Sequence, residues 1–232
     1  MTHRTTETRE PRRSFLRLAA SVAGFAAAGC ATAEATRTGH AQSQGEAEVT
    51  PGEDLMQEHG LLERILLVYD ESARRIEQAE PLDLGILARA AGLVRRFVED
   101  YHEKLEEQFV FPRLRTADRE TALVDTLLLQ HQRGRQLTDD IVRRTSAPAS
   151  PELAQLLRSF ARMYRPHAAR EDTVLFPAFR AVVGSGAYRE LGERFEDTEH
   201  EIFGEHGFEH SVSEVAQLET ALDIHELTRF TP

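Results

Sequence analysis

The chain has 232 residues, 41% hydrophobic and 29% charged, long enough for one well-packed domain with additional segments. Aromatic residues make up only 7%, tryptophan is absent, and Ala, Leu, Glu and Arg are abundant, which favours an all-α protein. The formal charge is −11, and the residues after 33 carry 23 basic against 37 acidic side chains; this balance argues against nucleic-acid binding and reads as a solvated acidic surface.

In chain order, residues 1–33 have the composition of an export signal. Arg12-Arg13-Ser14-Phe15-Leu16-Arg17 resembles the twin-arginine motif and precedes a small apolar stretch, Leu18 to Ala28. That stretch falls short of the about 20 apolar residues a membrane span needs. Cys30 closes Ala27-Ala28-Gly29-Cys30, similar to a lipoprotein cleavage box that prefers Leu where Ala27 stands, while Ala31-Thr32-Ala33 offers a rival signal-peptidase site. Both outcomes stay open: an exported, periplasmic protein, or a lipoprotein whose membrane contact is a lipid on Cys30. With no second cysteine, disulfides and thiolate metal clusters are excluded. Residues 34–50 read as a flexible linker, and His40 within it is not a ligand candidate.

From Pro51 the hydrophobic period becomes helical. Leu55, Leu62, Ile65, Leu66 and Tyr69 mark a first helix over about 51–77, with Pro51 in its first turn. Glu80-Pro81-Leu82-Asp83 breaks the pattern. Leu84, Leu87, Ala91, Val94, Phe97, Val98, Tyr101, Leu105 and Phe109 mark a second helix running to about Pro112. A third follows Asp118 and carries Leu123, Leu127, His131, Leu137 and Ile141. Ser150 can cap, and Pro151 can open, a fourth that runs to roughly Val183. Four such helices joined by short loops predict an antiparallel four-helix bundle over 51–183. Pro166 is expected to distort the fourth helix and thereby aim His167.

Within these helices one pattern occurs twice. Residues 102–112 and 167–177 both spell His-x3-Glu-acid-x3-Phe-Pro, so that His102, Glu106, Glu107, Phe111 and Pro112 answer His167, Glu171, Asp172, Phe176 and Pro177. A lone histidine precedes each copy, His59 and His131. Residues four apart on a helix share a face, so each pair can point an imidazole and a carboxylate at one spot. One such pair arises easily by chance; two, each with the same trailing Phe-Pro and an upstream histidine, do not. The ligand candidates are His59, His102, Glu106, His131, His167 and Glu171. Nitrogen and oxygen donors without thiolate suit iron or manganese.

The order His, His-x3-Glu, His, His-x3-Glu with Phe-Pro after both pairs resembles the bacterial hemerythrin-like, or HHE cation-binding, domain over about residues 53–182. The resemblance implies two non-haem irons bridged by Glu106 and Glu171, with His59 and His102 on one ion and His131 and His167 on the other, manganese being the alternative metal. It implies a small diatomic or peroxide ligand. The chain departs from the oxygen carriers of that family where they carry a further histidine on the third helix, one turn after His131: here Arg135 stands, expected to turn outward or to pair with an acid. The missing nitrogen leaves an exchangeable position, which weakens simple reversible O2 carriage and leaves room for sensing, nitric oxide or peroxide chemistry, or a ferroxidase-like role. Changing Arg135 to His is expected to complete the five-histidine set. Glu63, Glu103 and Tyr164 are the local side chains able to fill the gap.

Residues 184–232 suggest a C-terminal extension of two further helices containing His200, His206, His210 and His225. Their spacing favours polar helix faces over a second site, with His200, between Glu199 and Glu201, best placed to cover one end of the first. Two other readings stay open: an iron-handling or peroxidase-like di-iron enzyme, disfavoured by the excess of histidine over carboxylate, and a metal-free helical interaction module, disfavoured by the cost of burying four histidines and two carboxylates without a cation.

Overall fold

The computed structural model describes residues 49–232; the twin-arginine segment, Cys30, the linker and His40 lie outside the described residues. The described chain is all-helical, with six helices. Helix α1 is Pro51–Glu77, and α2 is one continuous helix over 84–116. Helix α3 is Thr121–Thr145, α4 is continuous over 151–183, α5 is Ser185–Phe203 and α6 is Gly207–Ala221. Among these, none is long and apolar enough to cross a membrane.

Local chemistry sets the starts. Thr50 and Glu53 form a reciprocal capping box ahead of Pro51. Asp83 accepts the Gly85 amide at 2.8 Å, and Ser150 accepts the Leu153 amide ahead of Pro151.

Contacts between helices fix their directions. On α1 the residues 59, 63, 70 and 77 meet residues 172, 165, 158 and 158 of α4, so the two run in opposite senses. On α2 the residues 95, 99, 107 and 115 meet 139, 138, 131 and 125 of α3, which also run oppositely. Helices α1 and α2 also pack on each other, as do α3 and α4. The interior between them is filled by Leu55, Ile65, Tyr69, Leu87, Phe97, Tyr101, Leu127, Ile141, Leu157, Phe160 and Phe176, all at most 2% exposed. Helices α5 and α6 cover the flank made by α1 and α2. Phe203 packs on Phe97 and Tyr101, with ring centroids 5.7 and 5.4 Å apart, and Glu219 pairs with Arg64. The Gly52 amide donates to the Tyr188 hydroxyl at 2.9 Å, an approach that a Cβ at position 52 would block.

Both long inner helices widen at corresponding places. In α2 the turn Glu106–Val110 is a π segment in which the Phe111 amide bonds to the Glu106 carbonyl, five residues back. In α4 the turn Glu171–Leu175 is another, with the Phe176 amide on the Glu171 carbonyl. The cause lies in the trailing Phe-Pro. Pro112 and Pro177 lack an amide hydrogen, and their rings crowd the carbonyl four residues back, so the preceding bond lengthens to i→i−5. Pro166 behaves differently from expectation: the α pattern runs through it to Arg170, and the distortion opens at Glu171, beyond His167. The distortion therefore lies ahead of Pro177 and begins at the motif carboxylate, not at the imidazole. A further π segment, Val94–His102, ends at the first His of the motif.

Candidate metal centre

The structure brings His59, His102, Glu106, His131, His167 and Glu171 together, each 6% exposed or less. His59 comes from α1, His102 and Glu106 from α2, His131 from α3, and His167 and Glu171 from α4. The ring Nε2 atoms of His59 and His102 lie 3.1 Å apart. His59 Nε2 is 3.3 Å, and His167 Nε2 3.1 Å, from the same Glu171 Oε2. His131 Nε2 is 3.4 Å from Glu106 Oε2, and His102 Nε2 is 3.7 Å from Glu106 Oε1. Two donors about 2.1 Å from one ion, at octahedral to tetrahedral angles, stand roughly 3.0–3.4 Å apart. Most of these separations match that value. The donors fall into overlapping sets, Glu106 with His131, His167 and Glu171, and Glu106 with His59 and His102.

The four imidazoles are held in one way. His59 Nδ1 donates to Asp172 at 2.7 Å, His102 Nδ1 to Glu58 at 2.7 Å, His131 Nδ1 to Glu107 at 3.2 Å and His167 Nδ1 to Gln130 at 2.9 Å. An ionised carboxylate or an amide oxygen only accepts, so each of these bonds puts a proton on Nδ1 and turns Nε2, the nitrogen a metal would take, to the interior. Outer partners of this kind fix the ring and raise its basicity as a ligand. The positions repeat as strictly as the ligands do. The acid after each motif Glu, Glu107 or Asp172, holds a lone histidine, and the residue before each lone histidine, Glu58 or Gln130, holds a motif histidine.

At the centre, the carboxylate oxygens of Glu106 and Glu171, and Nε2 of His131, are buried with no hydrogen bond of good geometry. Burial, then the charge of Glu171, pushes Glu106 well above the usual carboxylate range. Burial opposes ionisation of Glu171 too, but the neighbouring His167 and His59 outweigh it and hold the group low. Burial acts against the imidazolium of His59, yet Asp172 and Glu171 lift that ring to about 9. Burial first, and the His59 charge second, lowers His102, and burial pushes His131 down to about 4. Without a cation, two buried carboxylates share this space with a charged His59 ring, and the proton on that ring supplies a positive charge that a divalent cation between the same groups would replace.

Arg135 does not approach the ligands. It pairs with Glu103 and Glu107, each at 2.7 Å, and so serves as the counter-ion of two acids beside His131. Of the candidate gap-fillers, Glu63 turns to Arg165 on the surface at 2.9 Å. Glu103 and Tyr164 are both buried: the hydroxyl donates to Glu103 Oε1 at 2.6 Å while Arg135 takes Oε2, and Glu103 also forms, with Glu107 and His131, a third group of donors close enough to hold a metal. Burial lifts Glu103 to about 8 even so. His200, expected to cover one end of the centre, pairs with Glu205 on the connection after α5, its ring 3.7 Å from that carboxylate. His206 and His210 face each other edge to face, and His225 pairs with Glu226. Among the described residues, none of these four joins a group able to hold a metal.

Sequence reasoning missed Glu58 and Gln130 as outer partners. The signal was present, since each immediately precedes a lone histidine, but only the packing shows which ring it reaches.

A six-helix, all-α unit with His and Glu side chains converging from four helices defines a cation-binding helical protein. The Hemerythrin HHE cation binding domain matches residues 50–179, and the chain belongs to that family. Among its relatives are the uncharacterized protein Rv1995 of Mycobacterium tuberculosis (strain ATCC 25618 / H37Rv) and the uncharacterized protein Mb2018 of Mycobacterium bovis. Each is 44% identical over 231 aligned positions, covering 95% of this chain and 91% of the relative. No solved structure matches the chain.

Proposed function

We propose that α1–α4 form an antiparallel four-helix bundle holding two non-haem irons, with Glu106 and Glu171 bridging them, His59 and His102 on one ion, and His131 and His167 on the other. The observation that carries this reading is the arrangement of the four rings: every Nδ1 is committed to an outer acceptor, and every Nε2 turns to a buried carboxylate, Glu106 or Glu171, whose oxygens have no hydrogen bond of good geometry. When bound, an iron pair supplies redox-active positions for a small ligand. The chain's own residues orient the donors, exclude water and keep the ring protons on the outer nitrogens. The proposed ligand class is O2, nitric oxide or peroxide, met outside the cytoplasm after export through the twin-arginine segment. Arg135, turned to Glu103 and Glu107 in place of a further nitrogen ligand, favours an exchangeable coordination position, which also suits an iron-handling or peroxidase-like enzyme.

Metal analysis with an optical spectrum of the iron-loaded full chain tests the centre. Two irons per chain are expected, and a protein that holds no metal after loading overturns the reading. If both carboxylates bridge, Glu106→Ala and Glu171→Ala each release both ions; a loss of half the metal in each would mean two separate sites. For location, Arg12→Lys with Arg13→Lys should trap the precursor in the cytoplasm, whereas continued export would assign the segment to the general secretory route.

A further inference from the structure

The two halves of the centre repeat each other with one break in the ring of outer partners. Glu107 and Asp172 are both acids in equivalent positions, behind His131 and His59. Behind the two motif histidines, however, stand a carboxylate in one half and a neutral amide in the other: Glu58 on His102 and Gln130 on His167. Glu58 also accepts the Tyr101 hydroxyl at 3.0 Å, and it is 1% exposed.

A second difference lies on the same side. Glu107, behind His131, is also bound by Lys104 at 2.6 Å and Arg135 at 2.7 Å, so two cations share its charge. The His59 and His102 rings thus face two carboxylates, while the His131 and His167 rings face one amide and one carboxylate shared with two cations. An acceptor carrying full negative charge draws the Nδ1 proton more strongly and leaves Nε2 a better donor to a metal.

Donor number runs the other way: Glu106, His131, His167 and Glu171 form a mutually close set of four, and His59, His102 and Glu106 one of three. The difference is small, because Glu171 Oε2 also lies 3.3 Å from His59 Nε2 and Glu106 reaches a ring in each half. Each half thus has two imidazoles and an approach to both carboxylates, and the outer partners set the basicity of the rings that compete for the ion.

We infer that the two metal positions are inequivalent: the one served by His59 and His102 fills first and more tightly, and Gln130 sets the weaker hold of the one served by His131 and His167. The inference rests on the two-ion reading above. Glu58 and Gln130 act as positioning residues, through His102 and His167, and touch no metal themselves. Loss of an outer partner of this kind typically changes metal affinity about 10–100-fold, which is the separation expected between the two steps.

The test is an anaerobic titration of the metal-free full chain with ferrous iron, in competition with a chromophoric chelator. The wild-type protein should take up two ions in two resolved steps. His59→Ala should abolish the tighter step, and His131→Ala should keep it while abolishing the weaker one. Gln130→Glu should tighten the weaker step about tenfold, a gain that structural damage does not produce, and Glu58→Gln should weaken the tighter step until the two merge. Far-UV circular dichroism of each variant checks that the helices persist. Uptake of both ions in a single step, the reverse assignment by the alanine variants, or a weaker step unmoved in Gln130→Glu would overturn the inference and leave the two-ion reading standing. Uptake of fewer than two ions by the wild-type chain would overturn that reading itself.

Discussion

Gly134→Ala sets two effects of opposite sign against each other at a place the sequence did not flag. Gly134 lies in the middle of α3, where replacing glycine by alanine ordinarily gains about 1 kcal/mol of helix stability. Here a Cβ would run into the hydroxyl of Tyr164 and would lie 2.8 Å from Cζ and 3.0 Å from Cε2 of the same ring. The ring cannot yield cheaply. It is 1% exposed, stacks on Phe160 at a centroid distance of 4.4 Å, and donates to Glu103 at 2.6 Å. Overpacking costs about 1–3 kcal/mol, and losing a hydrogen bond to a carboxyl that burial keeps largely protonated at neutral pH about 0.5–1.5 kcal/mol. After the gain in helix propensity, the net loss is roughly 0.5–3.5 kcal/mol. Urea denaturation of the metal-free protein at neutral pH, with an unchanged m-value, measures it. A double-mutant cycle with Tyr164→Phe adds a specific signature. Removing the hydroxyl removes the closest of the three contacts and the hydrogen bond to Glu103, so the double variant should be more stable than the sum of the singles predicts, by more than the ~0.3–0.5 kcal/mol seen for independent sites. A Gly134→Ala protein as stable as wild type or more so would refute the reasoning, because it would mean that the close approach of Tyr164 to α3 is not maintained in solution.

Glu106→Gln removes the carboxylate that burial and Glu171 disfavour most, so the metal-free variant should melt no lower than metal-free wild type. Excess ferrous iron should then raise the melting temperature of wild type, by about 2.7 kcal/mol of stabilisation at a hundred times Kd, but not that of the variant; a retained shift would count against Glu106 as a ligand. Arg135→His, rather than completing a five-histidine set, should destabilise the chain by stranding Glu103 and Glu107. The cost falls toward the low end of the roughly 3–5 kcal/mol typical of a broken buried pair, because the Arg135 side chain is 23% exposed; unchanged melting and metal content would show that it is not their counter-ion. Glu71 is held down to about 2 by Arg74, against the pull of burial, with Arg75 adding to the effect. Its folded value lies below its unfolded one, so its contribution to stability is fully present above about pH 4.5 and is lost as pH falls toward 2. The stability difference between wild type and Glu71→Gln should therefore be constant from pH 7 to 5 and shrink by pH 3, and a difference that does not depend on pH would refute the pairing.

The sequence by itself determined everything that lies within one helix. An i,i+4 repeat places His102 with Glu106 and His167 with Glu171 on a shared face whatever the helix packs against, so both pairs were legible before any packing was known. The caps at Ser150 and Pro151, and the apolar stripe from Leu55 to Tyr69, were legible for the same reason. Phe-Pro is visible as a repeat, but which proline distorts its helix is not, since Pro166 also lies inside α4 and leaves it regular. Only the tertiary structure decided which outer residue meets which ring, because that depends on the register of one helix against another. Asp172 reaches His59 over 113 residues of chain, and Glu58 reaches His102 over 44. The same holds for Arg135, whose composition and spacing are those of an exposed helix face until α2 sets Glu103 and Glu107 beside it. It also holds for Gly134, an ordinary weak point in a helix until Tyr164 of α4 needs the space its missing side chain leaves.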